Sequence, residues 1–197
     1  MTQRIVLASN NAGKVREFNQ LLDGSEFEVI PQSEFQVTEI EETGLTFVEN
    51  AILKARNAAQ HTGLPAIADD SGLEVDALDG APGIYSARYA GAGASDQQNL
   101  EKLLEALRDV DDAQRSARFQ CLMVYMRHPL DPTPRIFQGT WEGRILRAPQ
   151  GDNGFGYDPV FYVPGQQCSS AELEPGLKNH LSHRGQALQQ LVAALRE

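Results

Sequence analysis

Short apolar runs alternate with segments of helical period through the first hundred residues, and few architectures other than an α/β sheet accommodate that alternation. Residues 5–9 form a brief run rich in β-branched side chains, as a buried strand requires, and lead straight into Asn10-Asn11-Ala12-Gly13-Lys14. A helix is predicted next, with Val15, Phe18, Leu21 and Leu22 on one stripe. Residues 27–30 read as a second strand stopped by Pro31. Thr46 and Glu49 stand at capping-box spacing ahead of Val48, Ala51, Ile52, Ala55 and Ala59, which repeat with helical period. Residues 66–68 read as a short strand that ends at an acidic loop, Asp69-Asp70-Ser71-Gly72. A strand over 73–78 then turns at Asp79-Gly80.

The second half is patterned differently. Ser95 and Gln98 can cap a helix whose stripe is Leu100, Leu103, Leu104 and Leu107. Residues 119–126 and 135–146 read as two long strands, and the glycine-rich segment 151–158 leads into a strand over 160–163. A last helix starts near Ser182 and buries Leu188, Leu191, Val192 and Leu195. Helices between strands early, then consecutive strands, imply a mixed sheet in a single domain over residues 1–197.

Composition narrows the function. Seventeen Lys and Arg oppose 27 Asp and Glu, a net charge of −10 that repels polyanions, so no nucleic-acid partner is expected. Cys121 and Cys168 form neither a disulfide framework nor a zinc motif, and Cys121 reads as a small buried strand residue. No signal peptide or membrane span is apparent, so a cytoplasmic protein without a membrane partner is expected.

Several segments carry possible chemistry. The junction from Ser9 to Lys14 combines helix-start amides, a glycine and a lysine, either a phosphate cradle or an ordinary tight turn. Asp69 and Asp70 repel one another beside an apolar strand and call for a cation; magnesium, which takes carboxylates and phosphate oxygens, suits them, as does a plain turn. Glu39, Glu41 and Glu42 offer a further carboxylate or a solvated run. Asn50, Lys54 and Asn57 share a polar helix stripe, and Lys54 matters only if that stripe overlooks the acidic loop. Phe155-Gly156-Tyr157-Asp158 can stack and pair a base, or its two rings can anchor the core. Lys178, His180, His183 and Arg184 gather near a helix start, where the dipole favours anions over cations, unless something electron-rich binds among them.

Taken in order, Ser9 to Lys14, Glu41 to Phe47, Asn50 to Ala55, Ala68 to Leu73, Gly83 to Tyr89, Gly154 to Pro159 and Ser182 to Gly185 resemble the inosine triphosphate pyrophosphatase family over nearly the whole chain. The resemblance implies an elongated mixed sheet with flanking helices, two lobes around a central nucleotide cleft, and a homodimer. It implies Mg2+-dependent hydrolysis of non-standard purine nucleoside triphosphates (dITP, ITP, XTP) to monophosphate and pyrophosphate, keeping them out of DNA and RNA. By position, Asp70 matches the general base and a metal contact, and Glu42 a metal-associated acid. Lys54 and Asp69 support them. Ser9, Asn10, Asn11, Ala12, Gly13, Lys14, Ser71, Phe155, Gly156, Tyr157, Asp158, Lys178, His183 and Arg184 match substrate contacts. Where many relatives have Thr-Gly-Asn this chain has Ser9-Asn10-Asn11; asparagine tolerates positive φ better than most residues. A pyrophosphatase with another base preference and a non-catalytic nucleotide sensor are the alternatives. A nucleotide panel separates the first, and nucleotide binding without pyrophosphate release marks the second.

Overall fold

The structure, a computed structural model, describes residues 2–9, 15, 18–20 and 22–196. The expected cradle residues Asn10, Asn11, Ala12, Gly13 and Lys14 lie outside these, as does Leu21. Seven strands follow the order β2-β1-β3-β4-β5-β6-β7: β1 (Gln3–Leu7), β2 (Phe27–Pro31), β3 (Ala66–Val75), β4 (Ser116–Met126), β5 (Arg135–Ile145), β6 (Phe161–Val163) and β7 (Cys168–Ser169). β1 pairs in parallel with β2 and β3, whereas β6 runs antiparallel to β5 and β7, so the sheet is mixed as the pattern predicted. The chain divides into two compact units, and β3, β4 and β5 each pass from one into the other.

The first unit holds the chain up to Asp70, Cys121–Gln138, and the chain from Gln186 onward. Its strands are buried on both faces, as parallel strands generally are. Ile5 and Leu7 of β1 pack with Phe18, Leu22, Val29, Ile67, Cys121, Leu188 and Leu191. Val6 and Ala8, alternating with them, join a second cluster made largely of alanines: Ala51, Ala55, Ala58 and Ala59 with Ala66 and Ala68 of β3. The four helical alanines belong to α1 (Phe47–Thr62), which starts as expected: the Thr46 side chain accepts from the Glu49 N–H. It ends at Gly63, whose φ of 68° provides the left-handed cap. Alanine side chains let a helix approach a strand closely, so the polar residues elsewhere on α1 are held near β3.

In the second unit, Ser71–Gln120 and Gly139–Gly185, α2 (Asp96–Ala106) has the full Ser95–Gln98 capping box and buries Leu100 and Leu103. These pack with Leu73, Val75, Phe119, Trp141 and Phe161. The one buried guanidinium of this core, Arg115, donates to the carbonyls of Ile145 (2.9 Å), Leu107 (2.6 Å) and Leu146 (2.9 Å). Removing it strands at least two buried acceptors at about 1–3 kcal/mol each. Arg115→Met is therefore expected to cost about 2–6 kcal/mol, measured as a lower urea midpoint with the slope unchanged.

Two expectations are corrected, and one element is added. The acidic segment is no loop: β3 runs unbroken from Ala66 to Val75 through Asp69-Asp70-Ser71-Gly72, and residues 76–78 leave it as a 3-10 turn. The last helix, α4 (His183–Leu195), starts as expected, and a short helix that the sequence reading did not name, α3 (Pro175–Leu181), precedes it. Lys178 and His180 thus occupy the last turn of α3, where cations suit the dipole, and the anticipated conflict does not arise there. Residue 160 ends a 3-10 turn, and the strand begins at Phe161.

Candidate active site

In the first unit, α1 presents Asn50 and Lys54, one turn apart, to the carboxylate of Asp70 in β3. The Lys54 ammonium lies 3.0 Å from Asp70 Oδ1 and 2.7 Å from Glu42 Oε1. The Asn50 amide, with no exposure, donates to Asp70 Oδ2 at 3.3 Å and accepts the Gly44 N–H at 2.8 Å. One lysine therefore serves two carboxylates, with side-chain exposures of 19% for Lys54, 12% for Asp70 and 28% for Glu42. Screening by water is weak at such sites, and the charges bear strongly on one another.

Burial pushes the Asp70 carboxyl above its ordinary value, and the charge of Glu42 adds to this against the pull of Lys54. For Lys54, burial acts downward, but the carboxylates of Asp70, Glu42 and Asp69 outweigh it and hold the ammonium above its ordinary range. Both directions follow from two acids sharing one base. Glu42, Lys54 and Asp69 also line a cavity of about 300 Å³ with Ala8, Ser9, Gln32, Glu39, Ile40 and Asn57. Its walls are polar and oxygen-rich.

The second unit positions the other expected residues. Arg184, in the first turn of α4, donates from Nη2 to the Ser71 hydroxyl at 3.2 Å. The His183 ring stacks on Phe119 with centroids 4.8 Å apart and planes 12° from parallel. Phe155 is 65% exposed, and the Lys178 ammonium lies 5.2 Å from its ring centroid. Lys178 also ion-pairs with Asp158, which is buried and accepts from the Phe155 N–H (2.8 Å) and the Ser170 hydroxyl (2.8 Å). A Cβ on Gly154, whose φ is 81°, would collide with the Asp158 carboxylate and with Lys178, so this turn needs glycine. The two rings of the segment have separate fates: Phe155 faces solvent, whereas Tyr157 is a core anchor whose hydroxyl donates to the Ser86 carbonyl at 2.8 Å. Of these two rings, Phe155 is the one presented for stacking.

Lys54, Glu42, Asp69 and Asp70 thus come together in one unit, and Ser71, Phe155, Asp158, Lys178, His183 and Arg184 lie in the other. Gly44 and Gln32 are the site-lining or site-bracing residues that the sequence reading did not single out, and Asn50 and Asn57 were noted there only as part of a polar stripe. For Asn50 the signal was its place one turn before Lys54. Among the described residues no three His, Cys, Asp or Glu side chains converge as a metal-binding group, and no helix is long and apolar enough to cross a membrane.

A mixed α/β sheet that carries a lysine-bridged pair of carboxylates beside a polar cavity defines the class as an α/β protein with a charged, partly buried site. Comparison with known proteins specifies it. The profile of the Ham1 family matches residues 5–194. A dITP/XTP pyrophosphatase of Vibrio vulnificus is 66% identical over 195 residues, covering 99% of this chain and 98% of that one. The structure of a HAM1 protein from Coxiella burnetii superposes with a TM-score of 0.96 at 56% identity, covering 99% of both chains. That of the Staphylococcus aureus Ham1 protein gives 0.91 at 45% identity, covering 98% of both. The chain belongs to the Ham1 family.

Proposed function

We propose that this chain hydrolyses non-standard purine nucleoside triphosphates (dITP, ITP and XTP) to the monophosphate and pyrophosphate. The observation that carries the reading is full-length similarity to proteins named for that activity, at 66% identity. The geometry around Asp70 supplies a chemical rationale. Water attacks the α-phosphorus, the bond from that phosphorus to the bridging oxygen breaks, and pyrophosphate leaves. A carboxylate with a raised pKa is a suitable acceptor for the proton of that water, because its affinity lies closer to the working pH. Lys54, held charged by its acidic neighbours, balances anionic charge at the same place.

Magnesium fits this donor set. Glu42 and Asp70 offer hard oxygen ligands, and their convergence on the Lys54 ammonium supports a place for positive charge between them. Once bound, the ion would screen the triphosphate and polarise a phosphate oxygen. Asp69 tunes the charge balance through Lys54. Asn10 to Lys14 and Ser9 serve the phosphates. Phe155 stacks the base. Lys178, His183, Arg184, Ser71 and the backbone of residues 155–158 supply polar contacts. Hypoxanthine and xanthine present an O6 acceptor where adenine has an amino donor, so a donor such as Arg184 favours the former and is left unpaired by the latter. The protein works in the cytoplasm as a homodimer.

The test is pyrophosphate release from dITP, ITP, XTP, ATP and GTP, with magnesium and with a chelator. Release from the first three, abolished by chelation, is expected. Equal rates with ATP and GTP would replace this reading with a pyrophosphatase of another preference, and binding without release with a sensor.

A further inference from the structure

We infer that Asn50 is a positioning residue for Asp70, coupling the orientation of that carboxylate to the backbone segment that carries Glu42. The inference rests on the proposed role of Asp70 and deepens it.

Asn50 has no solvent exposure, and both ends of its amide are committed. Nδ2 donates to Asp70 Oδ2 and Oδ1 accepts from the Gly44 N–H. Lys54, four residues later on the same helix face, takes the other carboxylate oxygen, Oδ1, and reaches the Glu42 side chain. Two parallel bridges therefore join Asp70 to residues 42–44: one charged, through Lys54, and one neutral, through Asn50. Each fixes one oxygen, so the carboxylate plane is set as well as its location.

The segment is prepared for this. Glu49 Oε2 accepts the Leu45 N–H and the Thr46 hydroxyl, both at 2.9 Å, clamping residues 45–46 onto the first turn of α1. Gly44 lies so close that a Cβ there would stand 2.7 Å from Asn50 Oδ1 and 2.6 Å from Glu49 Cβ. A glycine permits this approach, and the approach lets Asn50 reach the backbone of residue 44. An amide is also the side chain that can accept from an N–H and donate to a carboxylate in one plane. Aspartate at 50 would keep the first contact and turn the second into repulsion. Alanine or serine would release Asp70 Oδ2. Small misplacements of a reacting group are known to lower rates by up to about 100-fold.

The experiment compares kcat and KM for dITP in Asn50→Asp, Asn50→Ser and Asn50→Ala, with folded fraction measured by circular dichroism. The expected result is a kcat per folded molecule about 10–100-fold lower, with KM within about threefold of the parent. Asn50→Ala combined with Asp70→Asn should fall less than about twofold below Asp70→Asn alone, because the group it orients is gone. A folded Asn50 variant with parental kcat would overturn the proposal, as would losses that simply multiply in the double variant. Recovery of none of the three as folded protein would assign Asn50 to folding and equally overturn it. Failure of the underlying reading looks different: Asp70→Asn by itself would then retain its activity.

Discussion

Pyrophosphate release by Asp70→Asn is expected to fall about 10²–10⁴-fold while the near-ultraviolet circular dichroism stays that of the parent. Asparagine fills the same volume in β3 and keeps an oxygen for the Lys54 ammonium, so the alanine-lined packing between α1 and the sheet is undisturbed. What it lacks is the capacity to take a proton at the pH of the assay. A variant that is folded and still within tenfold of the parent in kcat would remove Asp70 from the proton-accepting role.

Lys54→Met is expected to lower kcat about 10²–10³-fold and to make stability fall more steeply with rising pH. Methionine matches the length of the lysine stem but leaves Asp70 and Glu42 without the ammonium they share. With that pull gone, burial and Glu42 act on Asp70 against the Asn50 amide alone, and its pKa rises further. A carboxyl whose folded pKa exceeds its unfolded one binds more protons when folded, so stability is lost as pH rises through the folded value. Relative to the parent, Lys54→Met should therefore be weaker at pH 8 than at pH 5. Melting curves at the two values read this directly, and a pH-independent difference would show that the carboxylates do not depend on Lys54.

The elements that the sequence revealed are those governed by local chemistry. The Thr46 N-cap with Glu49 and the Ser95–Gln98 capping box are visible as spacings because a cap is satisfied within four residues. The mixed sheet followed from short β-branched runs and their order. The misread segments depended on distant partners. Four polar or glycine residues, Asp69 to Gly72, look like a turn until Lys54 and Asn50 arrive from a helix 16 and 20 residues away to satisfy Asp70. Asn50 itself fell on a polar stripe, and such stripes usually face water; nothing local says that this one faces a carboxylate. The short helix α3 was more legible than the sequence reading allowed. Pro175 stands at the first turn of α3 behind Glu174, whose side chain caps the Leu177 N–H. The Phe155 segment stayed open for a similar reason: which ring is buried depends on the Ser86 carbonyl, 71 residues away.

The alanine face of α1 has a consequence that reaches the reaction without touching it. Ala51, Ala55, Ala58 and Ala59 act as a shim whose thickness is a single methyl group, and that thickness fixes how high Lys54 and Asn50 ride above β3. Any bulkier residue on the hidden side of the helix lifts both grips on Asp70 together. Catalytic tolerance in this fold is thus bounded by the calibre of side chains that never meet the substrate.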